Sequence, residues 1–131
     1  MTNASPFRDG VRLGVSPLSW TNEVLEDLGG DTPAEICLAE AAAAGYMGIE
    51  LGRKLPRDPA VLGPLLARYG LDLVSGWWSG GLAERGVDAE MAAVAGHAGL
   101  LRDLGCTVMV YGEVAMMAPD GTSARDACVA E

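Results

Sequence analysis

MGIELGRKLPRDPAVLGPLLARYGLDLVSG, residues 47–76, is the stretch on which the fold turns. It opens on a short apolar run, Met47 to Leu51, of the length of a buried strand. Asp58 and Pro59 then start a helix, Asp58 as its cap and Pro59 at the first helical position, where a missing N–H does no harm. Val61, Leu62, Leu65, Leu66 and Tyr69 supply an apolar stripe, and Gly70 can close the helix in the left-handed conformation. Leu71 to Gly76 is a further apolar run. Strand, helix and strand in so short a span make a βαβ unit, whose two strands run parallel.

The same grammar extends in both directions. Upstream, Arg12 to Ser16 reads as a strand, followed by a long polar connection, PLSWTNEVLEDLGGD. Long βα connections of that kind usually carry function. Thr32, Pro33 and Glu35 spell a capping box, with Ile36, Ala39 and Ala43 as the apolar face of a first helix that Gly45 ends. Downstream, a third helix is expected from Asp88, with Met91, Val94, Ala95, Ala98, Leu101 and Leu104 along one side. Gly96 and Gly99 weaken it by about 1 kcal/mol each relative to alanine. Gly105 stops it, and Thr107 to Tyr111 is a fourth strand. The strands are continuously apolar more than alternating, as in a parallel sheet covered by helices.

The expected fold is therefore α/β: a partial (β/α)8 TIM barrel of about four β/α units with a parallel sheet. Residues 11–114 form the N-terminal half of a barrel domain, 1–10 a flexible leader and 115–131 an irregular tail. A complete barrel takes about 250 residues, against 131 here. The fourth strand would then be an open sheet edge, a liability unless covered, for example by a second copy of the chain.

Composition narrows the partners. Eighteen acids against nine bases give a formal charge of −9, the wrong sign for nucleic acid or an acidic membrane surface. No apolar run approaches a membrane span and the first ten residues lack a signal-peptide core. The three cysteines, Cys37, Cys106 and Cys128, are an odd number without CxxC spacing, which reads as buried free thiols in a reducing cytoplasm. His97 is the sole histidine; it lies mid-helix, on the outside of a barrel, and reads as structural or surface.

Chemistry in such folds is built at the carboxyl ends of the strands. Ser19, Trp20, Thr21, Asn22 and Glu23 follow strand one. Glu50 ends strand two, with Arg53 and Lys54 beyond. Trp77, Trp78 and Ser79 follow strand three, and Tyr111 and Glu113 end strand four. All four groups would converge on one rim. Each has a plainer alternative: tryptophans pack under loops for area alone, Glu113 can be solvated, and Arg53 and Lys54 can be surface charges. Glu50 is the hardest to dismiss, because a carboxylate between Ile49 and Leu51 needs a partner; a structural ion pair with Lys or Arg would serve. No nucleophile elbow, P-loop or GxGxxG is present.

The segments SPLSWTNE, GIELGRKLPRDP, LVSGWWSG and LGCTVMVYGEV, spread over about Val11 to Val114, resemble the start of the myo-inosose-2 dehydratases, members of the xylose-isomerase-like sugar isomerase and epimerase barrels. The resemblance implies a lyase that removes water from 2-keto-myo-inositol by proton abstraction next to the ketone, with a Mn or Co ion held by two Glu, an Asp and a His of later strands. It assigns no metal ligand or catalytic residue to this chain. It carries over Trp20, Asn22, Glu50, Lys54, Trp77, Ser79, Tyr111 and Glu113 as candidates for lining a small-polyol or keto-sugar pocket. The family-like text fades beyond Val114, so the chain alone is expected to bind no cofactor and to be incomplete and inactive. A sugar isomerase or epimerase barrel fragment, or a non-catalytic half-barrel that assembles with a second copy, is the alternative.

Overall fold

The computed structural model describes residues 10–114; the expected tail, Cys128 and nearly all of the expected leader lie outside them. Four strands, β1 (Gly14–Val15), β2 (Gly48–Leu51), β3 (Asp72–Gly80) and β4 (Met109–Glu113), form one sheet in sequence order. Every neighbouring pair is parallel. Helices α1 (Ala34–Ala43), α2 (Pro59–Arg68), and the pair α3 (Leu82–Arg85) and α4 (Val87–Asp103) make the crossovers. This is the α/β architecture of part of a (β/α) barrel. No helix among the described residues is long and apolar enough to cross a membrane.

The βαβ unit of residues 47–76 forms as its sequence dictates. Asp58 caps α2, its carboxylate accepting the Ala60 N–H at 2.9 Å, with Pro59 in the first turn. Leu62, Leu65 and Leu66 are buried against Ile49, Leu51 and Leu73 of the sheet and Leu100 and Leu101 of α4. Ile49 and Leu62 are wholly enclosed, so truncating either to alanine would cost about 2–5 kcal/mol. Val61, at the edge of the expected stripe, is exposed.

Elsewhere the elements shift. Helix α1 starts one residue later than the capping box requires, with Pro33 in the cap position and no side-chain cap bond. Its inward face is Cys37, Leu38 and Ala41, while Ile36, Ala39 and Ala43 face outward. AEICLAEAAA is small and apolar nearly all round, so either face satisfies helical periodicity, and the larger Leu38 goes to the core. On α4, Val94, Leu100 and Leu101 are buried with Glu90, and Met91, Ala95 and Ala98 are exposed. Cys37 and Cys106 are free and buried, and burial pushes the Cys37 thiol up.

Strand β3 runs to Gly80, so Trp77, Trp78 and Ser79 belong to the strand rather than to a loop after it. β4 lies two residues later than expected, Met109–Glu113 instead of 107–111. Its pairing with the prolonged β3, from Gly76 against Met109 to Gly80 against Glu113, sets that frame. One irregularity matters most. Ile49 pairs with Leu73, but Glu50 pairs with Ser75, so Val74 is an extra residue in the ladder. Such a bulge re-aims everything beyond it. Because of it, Ser75, Trp77 and Ser79 share the face of Glu50, and Gly76 and Trp78 turn toward α4.

Candidate functional site

The carboxyl ends of the strands converge on a cavity of about 650 Å³ whose walls include Ser16, Asn22, Glu23, Glu50, Arg57, Trp77, Ser79 and Val114. All four strand ends contribute to it, as the barrel reading requires.

Glu50 lies at its base, half-buried. Its partner is not a cation. Ser75 Oγ donates to one carboxylate oxygen at 2.7 Å and Ser16 Oγ to the other at 3.2 Å. Ser16 is itself fixed, capping the 3₁₀ turn Pro17–Ser19 by accepting the Leu18 N–H. The alternative of a structural ion pair with Lys or Arg is not what forms: two hydroxyls hold the carboxylate. A carboxylate has about four acceptor directions, so this one is oriented while retaining capacity toward the cavity.

Trp77 and Ser79, two residues apart on β3, form one wall, the indole N–H donating to Ser79 Oγ at 3.0 Å. The ring lies over Gly112 of β4, where a Cβ would run into it. Asn22 reaches the cavity from the β1–α1 connection, its carbonyl accepting the Val24 and Leu25 N–H groups at 2.8 and 2.7 Å. Glu23 beside it accepts the Arg53 backbone N–H.

The other candidates hold the walls rather than form them. Trp20 packs on the core and donates to Glu40 of α1 at 2.6 Å. Lys54 donates to the carbonyls of Gly30 and Thr32 at 2.6 and 2.5 Å. Arg53 donates to those of Asn22 and Glu26. Together these two cations staple the β1–α1 connection to the segment after β2. Glu113 accepts the Leu82 N–H at 2.7 Å and the Tyr111 hydroxyl at 3.3 Å, joining the end of β4 to α3. Tyr111 crosses Gly80 on the helix side of the sheet.

On that side Trp78 donates to Glu90 at 2.7 Å and packs against His97, ring centroids 5.5 Å apart. His97 thus lies on the helix side, with the sheet between it and Glu50. Among the described residues no group of three His, Cys, Asp or Glu side chains could hold a metal ion. Residues 10–114 do not fit a Mn or Co centre.

Ser16, Ser75 and Arg57 enter the site without having been singled out from the sequence. Ser16 and Ser75 flank Glu50 across the sheet, which register alone reveals; Arg57 precedes the Asp58–Pro59 helix start and looks like a solvated charge.

No family model matches the chain. Over 111 residues, 85% of its length, it is 50% identical to the rhizopine catabolism protein MocC of Rhizobium meliloti. It is 37% identical to an inosose dehydratase of Geobacillus thermodenitrificans over 79% of its length. It is also 37% identical to one of Serratia proteamaculans over 78%. The chain spans about a third of the length of these curated relatives, 34–35%. Over the matched residues the chain is inosose-dehydratase-like.

Proposed function

We propose that the cavity binds a small neutral keto-polyol, an inosose, and that this chain supplies the ring-recognition part of an inosose dehydratase site. The observation that carries the reading is Glu50: a carboxylate held by two serine hydroxyls at the strand ends, facing a cavity walled by an indole, in a chain similar to inosose dehydratases. Glu50 accepts from ring hydroxyls. Trp77 offers an apolar face to the C–H side of the ring. The Ser79 hydroxyl, accepting from Trp77, keeps its own hydrogen to donate. These residues bind and orient. They do not make up a complete dehydration site, so the isolated chain is expected to show no turnover; metal-dependent turnover by it would overturn that.

The test is titration of the full chain with inosose, followed by tryptophan fluorescence. A saturable change, lost in Glu50→Ala, is expected; no saturation at concentrations on the order of 10 mM, weaker than any useful polyol site, would sink the reading. The same reading expects self-association across the β4 edge. Light scattering that finds only monomer at high concentration would count against that part.

A further inference from the structure

Three cations stand between β2 and α2: Arg53, Lys54 and Arg57. The first two donate to backbone carbonyls of the β1–α1 connection. Arg57 lines the cavity together with Glu23, Glu50 and Trp77 and has no hydrogen bond among the described residues. A guanidinium carries five N–H donors in a rigid plane and accepts nothing. The side chain is exposed enough for a ligand to reach, yet burial lowers its proton affinity while Glu23 opposes that. It remains a cation, as arginine does in proteins. A solvent-reached cation at the wall of a cavity, none of whose donors is taken by the described residues, can give them to the oxygen atoms of a ligand in place of water.

We propose that Arg57 is a ligand-binding residue whose planar fork takes two neighbouring oxygens, a hydroxyl pair or hydroxyketone edge, of a neutral cyclic polyol whose other hydroxyls donate to Glu50. This rests on the keto-polyol reading of the cavity given above. The geometry of the fork selects paired oxygens over a single one. The charge selects a neutral ring: Glu23 and Glu50 against Arg57 leave the lining formally at −1, and a phosphate would add further negative charge beside both carboxylates.

The test uses the full chain, with inosose as the probe and calorimetry as the readout. Arg57→Gln should weaken binding roughly 10-fold or more, the worth of hydrogen bonds from a charged donor. Arg57→Lys should recover only part of it, since charge is kept and the fork is lost. The melting temperature of Arg57→Gln should match wild type, because no hydrogen bond within the protein is removed; a marked fall would assign Arg57 a structural role instead. If wild type binds inosose, Glu50→Gln loses it and Arg57→Gln does not, the Arg57 assignment fails and the pocket stands. If wild type does not bind inosose, the pocket reading fails and the assignment goes with it. If inorganic phosphate competes with inosose through Arg57, the site is an anion site and the neutral-ring assignment is wrong.

Discussion

Ser75 on β3 donates to Glu50 on β2 at 2.7 Å, and it can do so because Val74 is looped out of the ladder between them. Strict alternation from the Leu73–Ile49 pair would set Val74 opposite Glu50 and bring Trp78, not Trp77, into the cavity. The bulge thus orients the carboxylate and chooses the tryptophan. Ser75→Ala should leave Glu50 with the longer Ser16 bond, 3.2 Å. The expected stability loss is about 1 kcal/mol, measured by urea unfolding, with a smaller loss of inosose affinity than Glu50→Ala. A variant that binds inosose as tightly as wild type would show that Ser75 does not orient Glu50.

Gly112 is the seat of Trp77. A Cβ there would meet the six-membered part of the indole, and the backbone of β4 cannot retreat without breaking its pairing with β3. Gly112→Ala should therefore displace Trp77, which is 52% exposed and has room to swing outward. The expected cost is about 1–3 kcal/mol, as for overpacking, with a red-shifted tryptophan emission and weakened inosose binding. An unchanged emission spectrum would mean that the ring does not rest there.

How much of this was legible beforehand depends on the kind of signal. The βαβ order, the Asp58 cap and the Leu62, Leu65 and Leu66 stripe follow from local chemistry, and they appear where the residues put them. Helix α1 was legible as a helix but not in its orientation, because its alanines give periodicity no preferred face. The convergence of Asn22, Glu50, Trp77 and Ser79 follows from parallel strand ends meeting at one rim. That Lys54, Tyr111 and Glu113 bind backbone and each other instead is decided by loop paths and strand register, which no local pattern reports. The Val74 bulge belongs to the same class: it depends on cross-strand pairing.

Glu90 is expected to contribute to acid sensitivity of the fold. It is 5% exposed, and the Trp78 N–H first, then the Gly81 N–H and Arg85, hold its carboxyl below the ordinary 4.5 against the cost of burial. With the folded value depressed, the unfolded chain takes up the proton first as pH falls. The stabilisation from this group is whole above pH 4.5 and is lost as pH drops from there through the folded value. Chemical unfolding across that range should show stability falling with acid, and Glu90→Gln should flatten the fall while lowering stability at neutral pH. An equally steep acid limb in Glu90→Gln would place the sensitivity elsewhere.

Lys54 separates a ligand role from a mechanical one. Its ammonium donates at 2.6 Å to Gly30 and 2.5 Å to Thr32, the short distances of charge-assisted bonds. Those carbonyls end the connection that carries Asn22 and Glu23 to the cavity. Lys54→Met keeps the apolar stem and removes the donors, so the expected cost is about 1–3 kcal/mol, felt first as local opening of that connection. Val24, Leu25 and Leu28 are exposed on it and would become sites of fast chymotryptic or thermolytic cleavage, and amide exchange at Asn22 and Leu28, whose N–H groups bond within the connection, would speed up. Affinity for inosose would fall too, but as a consequence of that loosening. If binding falls while proteolysis and exchange stay at wild-type rates, Lys54 touches the ligand directly and the staple is not its role.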